Sequence, residues 1–571
     1  MGTVAAHLTT LVRSAAERAG FGDEPIESTV ATRDPAHGDY QSNAAFRIAK
    51  RVGRRPRDIA EALVAALPGD PAVAGAEVAG PGFVNLRLAN EWLARDVAAR
   101  AADPRLGAPQ PGAGHTIVID YSAPNVAKRM HVGHLRSTII GNALDRIHRF
   151  LGWRVVADNH LGDWGLQYGK LLLGWREWRD DEAFAQDPIG ELQRVYQLAT
   201  ERAESDPKFL DDARAETVLL QEGDPERLKL WQEFVDVSLA EFAVLYDRLT
   251  IKFDTFYGES AFRHELKPLV EDLLARGVAV ESEGAIVVPL EGNDPPLLIR
   301  KKDGASLYGT TDLATLRQRI RDYAPSKILY VVDTRQQAHF RQLFAAARRM
   351  GVPPDLELVH VWFGMLRLSG GVVASTRKGQ VVNLIELLDR AAEKAFEVVT
   401  TKSPELTEAE RYAIAEAVGT GTVKYFDLSQ NPQSDITFTW DRALSLDGGS
   451  AVYLQYAYAR LHSILRSGGA ADAPPSAPVA VEHESERALA LLVARLPEAV
   501  EAAAEQHRPN LLAEHLDQLA KAVGPFYETC PVLKDGVPAD VRERRLALVF
   551  AVAHALRAGL ELLGIQTIPR M

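Results

Sequence analysis

Thr116-Ile-Val-Ile-Asp120-Tyr-Ser-Ala-Pro-Asn125-Val-Ala-Lys128-Arg-Met-His131-Val-Gly133-His134-Leu-Arg-Ser decides how this chain is built. The first five residues are a short apolar, β-branched run that reads as a buried parallel strand. After the second histidine, Leu135, Ile139, Ile140, Leu144, Ile147 and Leu151 recur at three- and four-residue spacing, the signature of one helix face. A strand therefore leads through a Pro-containing loop into a helix, and two histidines sit where the helix begins. Amide N–H groups without intrahelical partners point outward there, and the helix dipole favours negative charge. His131 and His134, three apart, can share one side of that first turn, with Lys128 just upstream as a further positive donor. Such a cluster suits phosphate-transfer chemistry, in which catalysis is mostly positioning and charge stabilisation.

Working outward, Trp153-Arg-Val-Val-Ala157 reads as the next strand and Lys327-Ile-Leu-Tyr-Val-Val332 as a later one. The alternation of strand and helix patterns from 115 to about 385 predicts an α/β Rossmann-type domain with a parallel sheet, interrupted by a charged helical insertion at about 171–250. Before it, residues 1–105 read as an α+β domain, ending in the alternating strand Phe83–Leu88 and the linker Leu106-Gly-Ala-Pro-Gln-Pro-Gly. After it, 386–446 reads as a connecting helical segment and 447–571 as an all-α bundle.

Composition sets limits. The 571 residues are 46% hydrophobic and 25% charged, values of an ordinary globular protein of several domains. The single cysteine, Cys530, excludes a disulfide framework and fits a reducing compartment, so a cytoplasmic location is expected. It also leaves His131 and His134 short of a four-ligand zinc set, so no protein-bound structural metal is expected. The net charge of −12 does not advertise nucleic-acid binding, although local basic runs such as Lys50-Arg51 to Arg57 can still meet a polyanion. No stretch reaches the roughly 20 apolar residues of a membrane span.

His131-Val-Gly-His134 resembles the first signature of class I aminoacyl-tRNA synthetases, and Ser122-Ala-Pro-Asn-Val-Ala-Lys128 resembles the arginyl-tRNA synthetases in particular. Gly364-Met-Leu-Arg-Leu-Ser-Gly-Gly-Val-Val-Ala-Ser375-Thr-Arg377-Lys378-Gly379 resembles the second class I signature in a degenerate form. Val373 and Ala374 occupy the places of its first Lys and Met, which leaves open whether Arg377, Lys378 or the upstream Lys128 supplies the working cation. The likeness continues to Gly564-Ile-Gln-Thr-Ile-Pro-Arg-Met571 at the chain's end.

The resemblance implies ATP with Mg2+, L-arginine and tRNA(Arg) as reactants, arginyl-adenylate as intermediate, transfer to the terminal 2′-hydroxyl of the tRNA, and a monomer. It assigns His131, Gly133, His134 and His339 to ATP. To arginine it assigns Asp120, Asn125, Glu259, Tyr308, Asp312 and Gln336, a set in which carboxylates and a flat aromatic suit a guanidinium. Asp163 also matches the family, and a helix N-cap accounts for it equally well. In the C-terminal bundle Tyr453 and Tyr456 would meet the anticodon loop, with Met571 at the terminus; exposed aromatics stack splayed bases, but tyrosines also pack helices together. Phe83 and Asn85 would touch the tRNA D-loop. A single cysteine excludes the zinc-bearing cysteinyl type, and no insertion is large enough for an editing domain. The alternative from another class is a non-catalytic paralogue that carries tRNA or senses arginine; an intact histidine pair argues against it.

Overall fold

The computed structural model describes the chain except residues 1, 33, 293, 303–306, 369–371, 374–381, 446–447, 472 and 571, and at 35, 368, 372 and 373 it describes backbone only. The chain forms two compact units, Gly112–Thr400 with Thr407–Ala443, and Met1–Pro111 with Thr401–Leu406 and Leu444–Met571.

In the second of these, β1 (Val30–Ala31), β2 (Tyr40–Ser42), β3 (Val73–Ala79) and β4 (Phe83–Leu88) form an antiparallel sheet in the order β1-β2-β4-β3. The same unit holds four long helices, Ala451–Ser467, Glu484–Glu505, Asn510–Thr529 and Ala539–Leu562. Segments far apart in sequence are joined by half-buried polar contacts. The Glu498 carboxylate accepts from the Ala5 amide and the Tyr40 hydroxyl, each at 2.8 Å. Arg487 donates to Asp39 at 2.8 Å and to the Leu88 carbonyl at 2.9 Å.

The other unit is built on a parallel sheet of β5 (Thr116–Asp120), β6 (Arg154–Asp158), β10 (Lys327–Asp333) and β11 (Glu357–Phe363), in the order β11-β10-β5-β6. Ile117, Val118 and Ile119 are fully buried, as a run of β-branched residues covered on both sides of a sheet requires. The helix Val132–Phe150 crosses from β5 to β6, while β10 and β11 extend the sheet the other way. The chain therefore changes direction between β5 and β10, and the crevice beyond their carboxyl ends is where sheets of this kind bind ligands. Between β6 and β10 lie five helices from Leu166 to Arg248 and an antiparallel sheet of β7 (Val280–Ser282), β8 (Ala285–Val288) and β9 (Leu297–Arg300).

Strand signals fade from about 386 in the sequence, yet a short strand, β14 (Ile436–Phe438), lies there. It pairs in parallel with β12 (Leu366–Leu368), which also pairs with β13 (Val372–Val373). Three residues are too few to show an alternating pattern.

Candidate active site

The loop leaving β5 is strained. Ser122, Ala123 and Ala127 have φ of 76°, 47° and 63°, a region that costs side-chain-bearing residues energy and clusters at functional sites. Neighbouring side chains hold it there. The Ser122 amide donates to Ser137 Oγ, the Ala123 amide to Asn159 Oδ1 and the Ala127 amide to Ser238 Oγ, at 2.9, 3.0 and 2.9 Å.

The two histidines cap the Val132–Phe150 helix reciprocally. The Gly133 amide donates to His131 Nδ1 at 3.0 Å, and the His131 amide donates to His134 Nδ1 at 3.1 Å. Each Nδ1 is thus an acceptor, so each neutral ring carries its proton on Nε2. The rings lie 3.9 Å apart, centroid to centroid. A Cβ on Gly133 would lie 2.6 Å from the His131 ring, which explains the glycine. Burial and the adjacent His131 push the His134 pKa down to about 3, and burial with Lys128 and Arg335 lowers His131. The reading of this cluster as cationic needs correction. The pair is neutral and offers two Nε2–H dipoles, while positive charge comes from Lys128, whose Nζ rests 4.1 Å from the Tyr196 ring centroid, and from Arg335.

His131, His134 and Arg335 line a cavity of about 320 Å³ together with Asn125, Arg136, Gln336 and Gly364. Asn125 bridges to Gly162, where a Cβ would lie 2.2 Å from Asn125 Oδ1. The same turn leads to a second cavity of about 400 Å³, lined by Trp164, Glu259, Arg263, Lys301 and Tyr308. The Glu259 amide donates to the Leu161 carbonyl at 3.1 Å, so residues 161–163 join the two cavities. Asp163 does not cap the helix that follows it. It accepts from the Ser260 amide at 2.8 Å and the Ser260 hydroxyl at 2.6 Å, fixing the 3-10 turn Glu259–Phe262.

Among the described residues Glu259 has no cationic partner. Burial first, then the charges of Asp163 and Asp312, push its pKa up to about 8. A carboxyl held in that condition is a socket for a permanent cation. Tyr308, at the start of the helix Tyr308–Tyr323, is 71% exposed and lines the same cavity.

Two expected contacts are taken up within the protein. Asp312 Oδ2 and His339 Nε2 lie 2.6 Å apart, so an expected arginine ligand and an expected ATP ligand are partners of each other. Asp120 lies against Arg319 at 2.7 Å in a buried cluster with Asp158, which leaves it a supporting role. Sequence reasoning missed Arg319, Asp158, Arg136 and Arg335. The last two flank motifs that were singled out, beside His134 and Gln336, and nothing in the pattern distinguishes Arg319.

In the other unit Tyr456 is 43% and Tyr527 51% exposed, with the Arg460 guanidinium 5.8 and 4.2 Å from their ring centroids. Tyr453 is half-buried and Tyr458 packs inside. Tyr527 lies on another helix and was not foreseen. Asn85 is 1% exposed and its Oδ1 accepts from Gln41, so it supports the strand rather than presenting itself, while Phe83 packs edge-on against Phe46. Arg377, Lys378 and Met571 lie outside the described residues.

Comparison with known proteins follows the same division. Residues 98–440 match the family model for the class I tRNA synthetase (R) catalytic domain, 454–571 the DALR anticodon binding domain and 6–88 the arginyl tRNA synthetase N-terminal domain. An arginine–tRNA ligase from Fusobacterium nucleatum is 43% identical over 558 residues, 96% of each chain. One from Frankia casuarinae is 44% identical over 567 residues, 96% of this chain and 95% of that one. The solved arginyl-tRNA synthetase of Thermus thermophilus superposes with a TM-score of 0.84 over the whole of both chains at 27% identity.

Proposed function

Since the chain belongs to the arginyl-tRNA synthetases of class I and is an arginine–tRNA ligase, we propose how its residues divide the reaction. ATP binds in the cavity before the signature helix, where the Nε2–H groups of His131 and His134 donate to phosphate oxygens. The arginine carboxylate attacks the α-phosphorus, pyrophosphate leaves, and arginyl-adenylate remains. The 2′-hydroxyl of the terminal adenosine of tRNA(Arg) then attacks the arginyl carbonyl and AMP leaves.

Neutral donors fixed by their own helix cap stabilise charge as it develops without reorganising. Lys128 supplies the upstream cation, and Arg377 and Lys378 are the candidates on the pyrophosphate side. Glu259 takes the guanidinium, with Asp312 adding negative charge and Tyr308 a flat face, while Asn125 and Gln336 hold the α-amino group from the neighbouring cavity. Tyr453, Tyr456 and Met571 belong to anticodon recognition, and Phe83, with Asn85 behind it, to the D-loop.

Magnesium comes with the nucleotide. Among the described residues no group of three His, Cys, Asp or Glu side chains could hold an ion. No described helix is long and apolar enough to cross a membrane. A cytoplasmic monomer is the accompanying reading.

The observation that carries the assignment of sites is the half-buried Glu259, without a cationic partner among the described residues and beside two further carboxylates, one turn of chain from the nucleotide cavity. The test is arginine-dependent ATP–pyrophosphate exchange, with and without cognate tRNA, against lysine and citrulline. Exchange with arginine alone among the three supports the reading, and a requirement for tRNA would add that tRNA completes the site. Absence of exchange in protein that still binds tRNA would favour a carrier.

A further inference from the structure

Arg136 follows His134 by two residues and is 1% exposed. Its Nε donates to both carboxylate oxygens of Asp427, at 3.2 and 2.9 Å, and its Nη1 donates to the carbonyls of Gly364 and Ser434, at 2.7 and 3.0 Å. One guanidinium thus ties together three separate pieces of chain: the signature helix, the strand end from which Gly364–Leu366 departs, and the helix Glu408–Leu428 with the loop after it.

The carbonyls it grips belong to a fitted joint. The Gly364 amide donates to the Pro432 carbonyl at 2.9 Å and the Met365 amide to Asp435 Oδ1 at 2.8 Å. A Cβ on Gly364 would lie 2.5 Å from the Ser434 oxygen, so only glycine allows the approach. Gly364, Met365 and Leu366 form one wall of the nucleotide cavity, and His131 and His134 lie on the signature helix that forms another.

A buried ion pair adds little net stability compared with apolar residues of the same volume, because desolvating both charges costs about as much as their attraction returns. Among the described residues Arg136 Nη2 is also buried without a hydrogen-bond partner, which a clamp selected for stability alone would not leave. Geometry is what this arrangement secures.

We propose that Arg136 is a positioning residue for adenylate formation, holding the Gly364–Leu366 wall at a fixed distance from the His131/His134 donors. This rests on the assignment of that cavity to ATP. Its purpose is to keep the α-phosphate aligned, since a misplacement of about 1 Å can cost roughly 100-fold in rate.

The test compares steady-state exchange in the parent with Arg136→Lys, Arg136→Met and the double variant Arg136→Met/Asp427→Leu, each assayed well below its own melting temperature. Lysine keeps a charge against Asp427 but cannot reach both carbonyls, and the double variant leaves no unpaired buried charge, so both are expected to fold. Expected is a fall in kcat of about 30- to 100-fold in Arg136→Lys and in the double variant, with KM for ATP within about threefold. Melting temperature in the double variant should return toward the parent while kcat does not. Recovery of kcat together with melting temperature, or an Arg136→Lys enzyme within threefold of the parent, would overturn the proposal. Parent protein without exchange would instead sink the assignment of the cavity.

Discussion

With Glu259 as the partner of the guanidinium, as proposed, arginine binding should be a proton-linked event. Its carboxyl titrates at about 8 in the empty site, against an ordinary 4.5, because burial and the negative charges of Asp163 and Asp312 oppose ionisation. A guanidinium is charged at every accessible pH and pairs with the ionised form. With a free-site pKa of about 8, roughly nine-tenths of the empty sites are protonated at pH 7, so arginine binding should release about 0.9 proton there. Apparent affinity should be about tenfold, or about 1.4 kcal/mol, weaker at pH 7 than its high-pH limit. Log affinity should rise by about one unit per pH unit from 6 to 7.5 and level off near 8. The shifts of the two histidines run away from this window: His134 is pushed down to about 3, and burial with Lys128 and Arg335 lowers His131. The direct measurement is calorimetric titration of arginine, with ATP analogue and tRNA present, in two buffers of different ionisation enthalpy. In Glu259→Gln the released proton should vanish, the pH slope should flatten and affinity should fall. A parent profile flat between pH 6 and 8, or an unchanged proton count in Glu259→Gln, would refute the reasoning. The same shift acts on the empty fold with a definite sign. The carboxyl holds its proton more tightly folded than unfolded, so its contribution is fully present below about pH 4.5 and is lost as pH rises through about 8, a change of a few kcal/mol at most.

Replacing His134 with Ala should lower kcat for exchange about 100- to 1,000-fold with little change in arginine affinity, and the parent rate should show no acid limb from this ring above pH 5; a limb that disappears in the variant would contradict the neutral pair. Arg319→Met leaves Asp120 and Asp158 facing each other unpaired and should cost about 3–5 kcal/mol in urea unfolding, whereas an unchanged midpoint would remove the cluster from the fold's support. Tyr527→Ala should weaken tRNA binding by about 1–3 kcal/mol in filter binding while leaving KM for ATP unchanged, and a variant with parental tRNA affinity would return Tyr527 to the ordinary surface.

The parallel sheet was legible because β5, β6 and β10 are dense in Val and Ile, and the signature helix because its apolar residues recur at helical spacing. The histidines were legible as a cluster at a helix start but not as neutral groups. Their charge depends on burial and on which nitrogen the backbone occupies, and neither is written in a four-residue motif. Glu259 looked like any loop acid until the fold brought Asp163 and Asp312 towards it from other elements. Arg319 and Arg136 were illegible because their partners, Asp120, Asp158 and Asp427, lie 161 to 291 residues away. Asn85 shows the opposite error, in which strand alternation gives no sign of which face is covered by a neighbouring side chain.

The contacts of Glu498 with Ala5 and Tyr40 bear on how the protein is made. On the ribosome, the Ala5 amide emerges 493 residues before the carboxylate that will accept from it. At about 5–20 residues per second, that is a wait of roughly 25 to 100 seconds. During this time the first 111 residues lack the helices that complete their unit, while Gly112–Thr400 waits only for Thr407–Ala443. The nascent chain should therefore acquire protease resistance in its middle first, and its beginning should become resistant only after the last helices have left the exit tunnel.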